Sequence, residues 1–124
     1  AIALSWEDAR AGAADRADGD NVVLHEFAHQ LDEETGEANG VPLLHSSEAY
    51  AEWARVMNRE YEEFVEKVSK NRRVLLDEYA AEDPAEFFAV ATEFFFERPN
   101  ALRGRHPDLY KQLLSFYRQD PAAW

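Results

Sequence analysis

One pentapeptide, His25-Glu26-Phe27-Ala28-His29, constrains what this chain can fold into more than any other feature of the sequence. It has the pattern H-E-x-x-H, with two histidines four positions apart. Successive residues of an α-helix are about 100° apart, so His25 and His29 would share one helical face, one turn apart. Two imidazole nitrogens on one face can bind the same Zn²⁺ ion. We therefore expect a helix that carries a metal-binding pair.

The flanking sequence predicts that helix independently of the histidines. Asp20-Asn21 is a good N-cap and Gly36 a natural stop, so the helix should run from Val22 to about Glu34. Glu26 would lie beside the face of the two histidines and not within it, where it can reach a water molecule without being a metal ligand. A neighbouring apolar face should anchor the helix in a core: Leu24, Phe27, Ala28 and Leu31.

A catalytic zinc site needs a third protein ligand and an open position. The extended motif of the metzincins has a histidine six residues after the second one, where this chain has Thr35, so that class is excluded. The remaining histidines, His45 and His106, are expected to be solvated or capping residues.

Carboxylates on a later helix are the other source of a third ligand. Glu86 and Glu93 are seven residues apart and share a helical face. Glu86 also has a structural explanation, because it would complete an Asp-x-x-Glu capping box with Asp83. Glu93 also has a structural explanation, because it could simply be a solvent-exposed carboxylate on the helix surface. The spacing alone leaves both residues open as ligands.

The whole chain is predicted to be mainly α-helical, with about four helices and one short N-terminal strand. Ala1–Trp6 reads as the strand, and a lone strand needs partners, so we expect upstream residues that supply them to be missing. The chain should form one domain over residues 1–124. The three further helices are predicted from Ser46 or Ser47 to about Asn71, from Asp83-Pro84 to about Glu97, and from His106-Pro107 to Pro121.

Charge and composition exclude several classes of function. The chain of 124 residues has 13 Lys and Arg against 25 Asp and Glu, a formal net charge of −12. Such a surface repels phosphates, which argues against direct binding to nucleic acid or to an anionic membrane. The absence of cysteine excludes a thiolate metal site and a cysteine nucleophile. No apolar run approaches the ~20 residues of a membrane span.

Two blocks of the sequence resemble one known family. Residues 21–32, which include the H-E-x-x-H pattern, resemble the active-site helix of the Mlc titration factor A family of bacterial zinc-dependent peptidases. Residues 77–90 are similar to that family's second block, and the resemblance runs from Leu4 to Pro121. The zinc site of lethal-factor-type peptidases has a similar arrangement of Tyr, Glu and Phe-Phe-Ala.

The resemblance implies a role for each matched residue. His25, His29 and Glu86 match the family's metal ligands, and Glu26 matches its general base. Tyr79 matches a tyrosine near the metal, whose phenol could donate a hydrogen bond to the oxyanion. For Asp32, two interpretations stay open: a carboxylate that orients an imidazole, or a helix-end carboxylate.

The resemblance also implies a fold and a function. It implies a zincin-like catalytic domain that lacks an N-terminal portion of an α+β full-length protein. The expected activity is that of a cytoplasmic, aminopeptidase-like hydrolase of peptides, and the expected cofactor is Zn²⁺. The expected protein partner is a transcriptional repressor of the Mlc type. The alternative is a regulatory binding module that sequesters such a repressor, with zinc structural or incidental. A zinc hydrolase that is not a peptidase would use the same ligands.

Overall fold

The computed structural model describes residues 22–37 and 39–124. This part of the chain is helical and contains no strand, so the prediction of a mainly α fold is confirmed. None of its helices is both long enough and apolar enough to cross a membrane. The strand predicted at residues 1–6 lies outside the described residues.

The α-helices are α1 (Val22–Glu33), α2 (Ser47–Ser69), α3 (Pro84–Glu97), α4 (Pro99–Arg105) and α5 (Pro107–Tyr117), with 3₁₀ turns at Glu78–Ala81 and Pro121–Ala123.

Side-chain caps determine where two of the helices begin. Ser46 precedes α2, and its Oγ accepts a hydrogen bond from the backbone N–H of Ala49 at 3.0 Å. Asp83 precedes α3 and accepts from the backbone N–H of Glu86 at 2.8 Å, with Pro84 in the first turn. These caps satisfy amide groups that have no partner inside the helix. The predicted starts of both helices are confirmed.

Two details of the predicted helices are wrong. The segment Pro99–Arg105, for which the sequence predicts no helix, forms the short helix α4. The last helix ends at Tyr117 and not at Pro121, because Arg118 adopts a left-handed conformation with φ 55°. A left-handed residue directly after a helix is a common way to end it.

Helix α3 is the centre of the fold. Every residue from Phe87 to Glu97 is buried, and α3 contacts α1, α4, α5 and the 3₁₀ turn at Glu78–Ala81. Aromatic rings of α2, α3 and α5 meet here. Measured between ring centroids, Trp53 of α2 lies 5.6 Å from Phe88 of α3 and 6.0 Å from Phe116 of α5. Edge-on packing of this kind suits aromatic rings. The packing of α1 against α3 brings the histidine face of one helix to the start of the other.

Candidate metal centre

The apolar face of α1 determines where its histidines point. Leu24 and Ala28 are fully buried and Phe27 nearly so, as the sequence predicts, while Leu31 packs at the margin of the core. His25 and His29 lie beside this face and keep 19% and 21% of their side chains exposed. Both imidazoles therefore sit at the edge of the core, where the site is open to solvent on one side.

Three side chains converge on one point at this edge. Nε2 of His25 lies 3.0 Å from Oε2 of Glu86, and Nε2 of His29 lies 2.9 Å from Oε1 of Glu86. The two Nε2 atoms are 3.1 Å apart. At bond lengths of about 2.0–2.1 Å, the ligand atoms of a tetrahedral zinc are about 3.3–3.4 Å from one another. The observed separations are about 0.2–0.5 Å shorter, so the three side chains would move slightly apart around a bound ion. One ligand atom from each side chain lies within 4.8 Å of the others, close enough to hold a metal ion such as Zn²⁺.

Glu86 serves the start of α3 and the histidine pair at the same time. Its backbone N–H donates to the side chain of Asp83, which is one half of the predicted capping box. Its side chain faces His25 and His29 and not the backbone of Asp83, so the carboxylate lies at the histidine pair and the second half of the box is not formed.

The other two histidines lie outside this group. His45 is exposed, and Nδ1 of His106 lies 2.8 Å from Oε1 of Glu60. Among the described residues, the only group of His, Asp and Glu side chains close enough to hold a metal is that of His25, His29 and Glu86.

Glu93 approaches the opposite side of the His25 ring. Its Oε1 lies 3.4 Å from Nδ1 of His25, and 7% of its side chain is exposed. The structural alternative for Glu93, that it is an ordinary solvent-exposed carboxylate of the helix, is therefore wrong. The Glu93 carboxylate raises the pKa of His25 against the opposing effect of burial, and Glu86 adds to the increase. Sequence spacing indicated that Glu93 shares a face with Glu86, but not which ring nitrogen it would meet.

The two proposed catalytic side chains are exposed. Glu26 follows His25 on α1 and faces solvent. Tyr79 belongs to the 3₁₀ turn before α3 and is 52% exposed. The negative charges of Glu86 and then of Glu82 raise the pKa of Tyr79. A raised pKa keeps the phenol protonated and able to donate a hydrogen bond.

Asp32, the other acidic candidate, holds the loop that follows α1. Its buried carboxylate accepts hydrogen bonds from the backbone N–H groups of Gly40 at 2.8 Å and Asn39 at 3.2 Å. Burial raises the pKa of Asp32, against these hydrogen bonds. The observed contacts fit the helix-end interpretation.

Gly40 connects this loop to α3. Its carbonyl accepts a hydrogen bond from Nε1 of Trp53 at 3.2 Å, and a Cβ atom at Gly40 would lie 2.5 Å from the carbonyl oxygen of Pro84. The loop after the histidine helix is thus pressed against the turn that presents Glu86. The pair Asn39-Gly40 predicted a loop, but nothing in the sequence indicated this close approach.

The histidines of an H-E-x-x-H helix meet a glutamate from a second helix. The fold and the site therefore define a class of protein: a helical domain with a candidate metal centre of two histidines and one glutamate. The family follows from sequence comparison. Residues 1–118 match the family model of the glucose-regulated metallo-peptidase M90, and the chain belongs to that family.

Similar proteins occur in several bacteria. The chain is 39% identical to Mlc titration factor A of Pectobacterium atrosepticum over 98% of its own length and 46% of the relative. It is 41% identical to Mlc titration factor A of Escherichia coli, over 97% of its length and 45% of the relative. An uncharacterized protein of Synechocystis sp. is 42% identical over 84% of the chain and 38% of the relative. The chain spans less than half the length of these curated relatives.

Proposed function

We propose that this chain is the catalytic domain of a zinc-dependent metallopeptidase, aminopeptidase-like in action, with His25, His29 and Glu86 as metal ligands. The observation that carries the proposal is the convergence of these three side chains: each histidine Nε2 lies 2.9–3.0 Å from an oxygen of Glu86, and the two Nε2 atoms are 3.1 Å apart. Membership of a metallo-peptidase family supports the reaction class.

The chain's own residues divide the remaining chemistry between them. Zinc, when bound, supplies a Lewis acid for the peptide carbonyl and for water. Glu26, exposed beside His25, accepts a proton from the attacking water and passes it to the leaving amine. Tyr79 donates a hydrogen bond to the carbonyl oxygen as negative charge develops there.

Replacement of the proposed base tests this mechanism. Glu26→Gln keeps the shape of the side chain but cannot accept a proton, so turnover should fall by at least about 10²–10⁴-fold while zinc stays bound. Turnover is measured on aminoacyl anilides with free and with blocked N-termini, which separates an aminopeptidase from an endopeptidase, and zinc is measured by metal analysis. Glu33→Gln, an exposed glutamate at the end of the same helix, is the matched control.

Two outcomes would contradict the proposal. Near-parental turnover in zinc-loaded Glu26→Gln would remove Glu26 from the mechanism. A parent protein that binds zinc but hydrolyses none of the anilides or unlabelled peptides would argue against a peptidase.

A second candidate function is a regulatory binding module that sequesters a transcriptional repressor of the Mlc type. The name of two relatives, Mlc titration factor A, favours it, and a net charge of −12 suits a basic DNA-binding partner. Such a role would place the chain in the cytoplasm, as the family resemblance implies. The same Glu26→Gln variant separates the two functions, because it should lose hydrolysis and keep its affinity for a purified repressor of this type.

A further inference from the structure

The two ring nitrogens of His25 face two different glutamates of one helix. Nε2 lies 3.0 Å from Glu86, inside the candidate metal centre, and Nδ1 lies 3.4 Å from Glu93 on the other side of the ring. Glu86 and Glu93 are seven residues apart, about two turns of α3, and so lie on one face. The imidazole of His25 is therefore held between two carboxylates that a single rigid element presents.

The burial of Glu93 makes this contact more than incidental. Glutamate is seldom buried unless it is paired. The side chain of Glu93 is only 7% exposed, and its neighbours Val90 and Phe94 on α3 are buried as well. A carboxylate beside Nδ1 favours the tautomer in which Nδ1 carries the proton and donates it in a hydrogen bond. In that tautomer the lone pair of Nε2 points towards Glu86 and His29.

We propose that Glu93 is a positioning residue for the metal centre: it accepts a hydrogen bond from Nδ1–H of His25, and so fixes the tautomer and the ring orientation in which Nε2 binds the metal. The inference rests on the proposed function, because it assumes that His25 is a ligand. Glu93 acts through His25 and does not itself touch the metal or the substrate.

Zinc affinity is the first test. Competition with a chromogenic chelator measures it for the parent, Glu93→Ala and Glu93→Gln, and loss of a hydrogen-bond partner behind a histidine ligand typically weakens binding about 10–100-fold. Glu93→Ala should show that loss, and Glu93→Gln a smaller one, since the amide oxygen can still accept from Nδ1–H. Glu97→Ala is the matched control, because Glu97 is an equally buried glutamate four residues further along α3. Its zinc affinity should equal that of the parent.

The tautomer of His25 is a second readout that does not depend on metal. Imidazole ¹⁵N shifts of the zinc-free protein, measured above the pH at which His25 loses its proton, should show the proton on Nδ1 in the parent. In Glu93→Ala the His25 signal should move towards the Nε2–H form, and in Glu97→Ala it should not. A purely structural role for Glu93 would lower the free energy of unfolding without changing the tautomer.

The possible results separate this inference from the proposed function. If the parent and Glu86→Ala bind zinc equally weakly, both the metal centre and the role of Glu93 are wrong. If Glu86→Ala loses zinc while folded Glu93→Ala binds it like the parent, only the role of Glu93 is overturned. Equal losses in Glu93→Ala and Glu97→Ala would also overturn it, because the effect would then belong to any buried charge on α3.

Discussion

The absence of a side chain at Gly40 decides how closely the loop after α1 approaches the start of α3. Gly40 has φ 81°, and an added Cβ would meet the Pro84 carbonyl oxygen at 2.5 Å. Gly36, four residues earlier, has a similar φ of 87°, but within the described part of the chain no atom beyond its immediate neighbours lies within 4 Å of such a Cβ. The two glycines share the backbone requirement and differ in the space around them.

This pair yields a prediction about stability. Gly36→Ala should cost about 1–2 kcal/mol, the price of a left-handed alanine. Gly40→Ala should cost about 1–3 kcal/mol more, because the methyl group displaces Pro84. Chemical denaturation of both variants measures the difference. Equal losses would mean that the loop moves away from α3 without cost.

Between elements, a cluster of charged side chains links α2 to the start of α5. Glu60 pairs with His106 at 2.8 Å, and the neighbouring Arg59 pairs with Asp108 at 2.8 Å. Burial raises the pKa of Glu60, but His106 and Arg59 outweigh it and leave the pKa below its ordinary value of 4.5. A carboxyl group whose pKa is lowered by folding stabilises the fold above its unfolded pKa.

Glu60→Gln should therefore destabilise the protein in a pH-dependent way. The loss should be about 1.5–3 kcal/mol at neutral pH, typical of a hydrogen bond to a charged group. It should shrink as the pH falls through the lowered pKa of Glu60, because the parent then loses the same charge. Unfolding free energies of both proteins between neutral pH and about pH 3 test this. Glu52→Gln, which removes a solvent-exposed pair with Arg55 on the same helix, should change stability much less.

Sequence predicted those elements that carry explicit signals. Ser46 and the pair Asp83-Pro84 mark helix starts through their own chemistry, so the starts of α2 and α3 were predictable. Helix α4 is only seven residues long and contains Gly104, which leaves too few apolar positions to show a period. Short helices of this kind form because their neighbours pack against them.

The candidate metal centre was likewise predictable only where a local sequence pattern determines it. The spacing of His25 and His29 determines their shared face within one helix. The choice between Glu86 and Glu93 depends on how far along α3 the helix α1 crosses, and no local pattern encodes that position. The family resemblance favours Glu86, which the structure places beside Nε2 of both histidines, and it implies no role for Glu93.

For the whole molecule, a metal held by His25 and Glu86 would join residues 61 positions apart in the chain. An ion that binds only the folded state stabilises it by mass action, by about 2.7 kcal/mol when free zinc is 100 times its Kd. For a domain of this size, each kcal/mol raises the Tm by roughly 2–8 °C.

Zinc should therefore raise the Tm of the parent, and a chelator should reverse the rise. Scanning calorimetry at several zinc concentrations measures the effect, and Glu86→Ala should show almost none of it. A parent that binds zinc with an unchanged Tm would show that the ion binds the unfolded chain as tightly as the folded one, which contradicts a site built from residues so far apart in the chain.

The burial of α3 also limits where this protein can be engineered. The helix that presents Glu86 is enclosed by its neighbours from Phe87 to Glu97, so a library that varies it would mostly return chains that fold poorly. Gln30, next to His29 on α1, and Glu82, after the 3₁₀ turn, are exposed, and exchanges at these positions should be tolerated. A designer who wants to change the substrate preference of the proposed peptidase has the most freedom at such exposed positions, with the buried helix left as the fixed part of the scaffold.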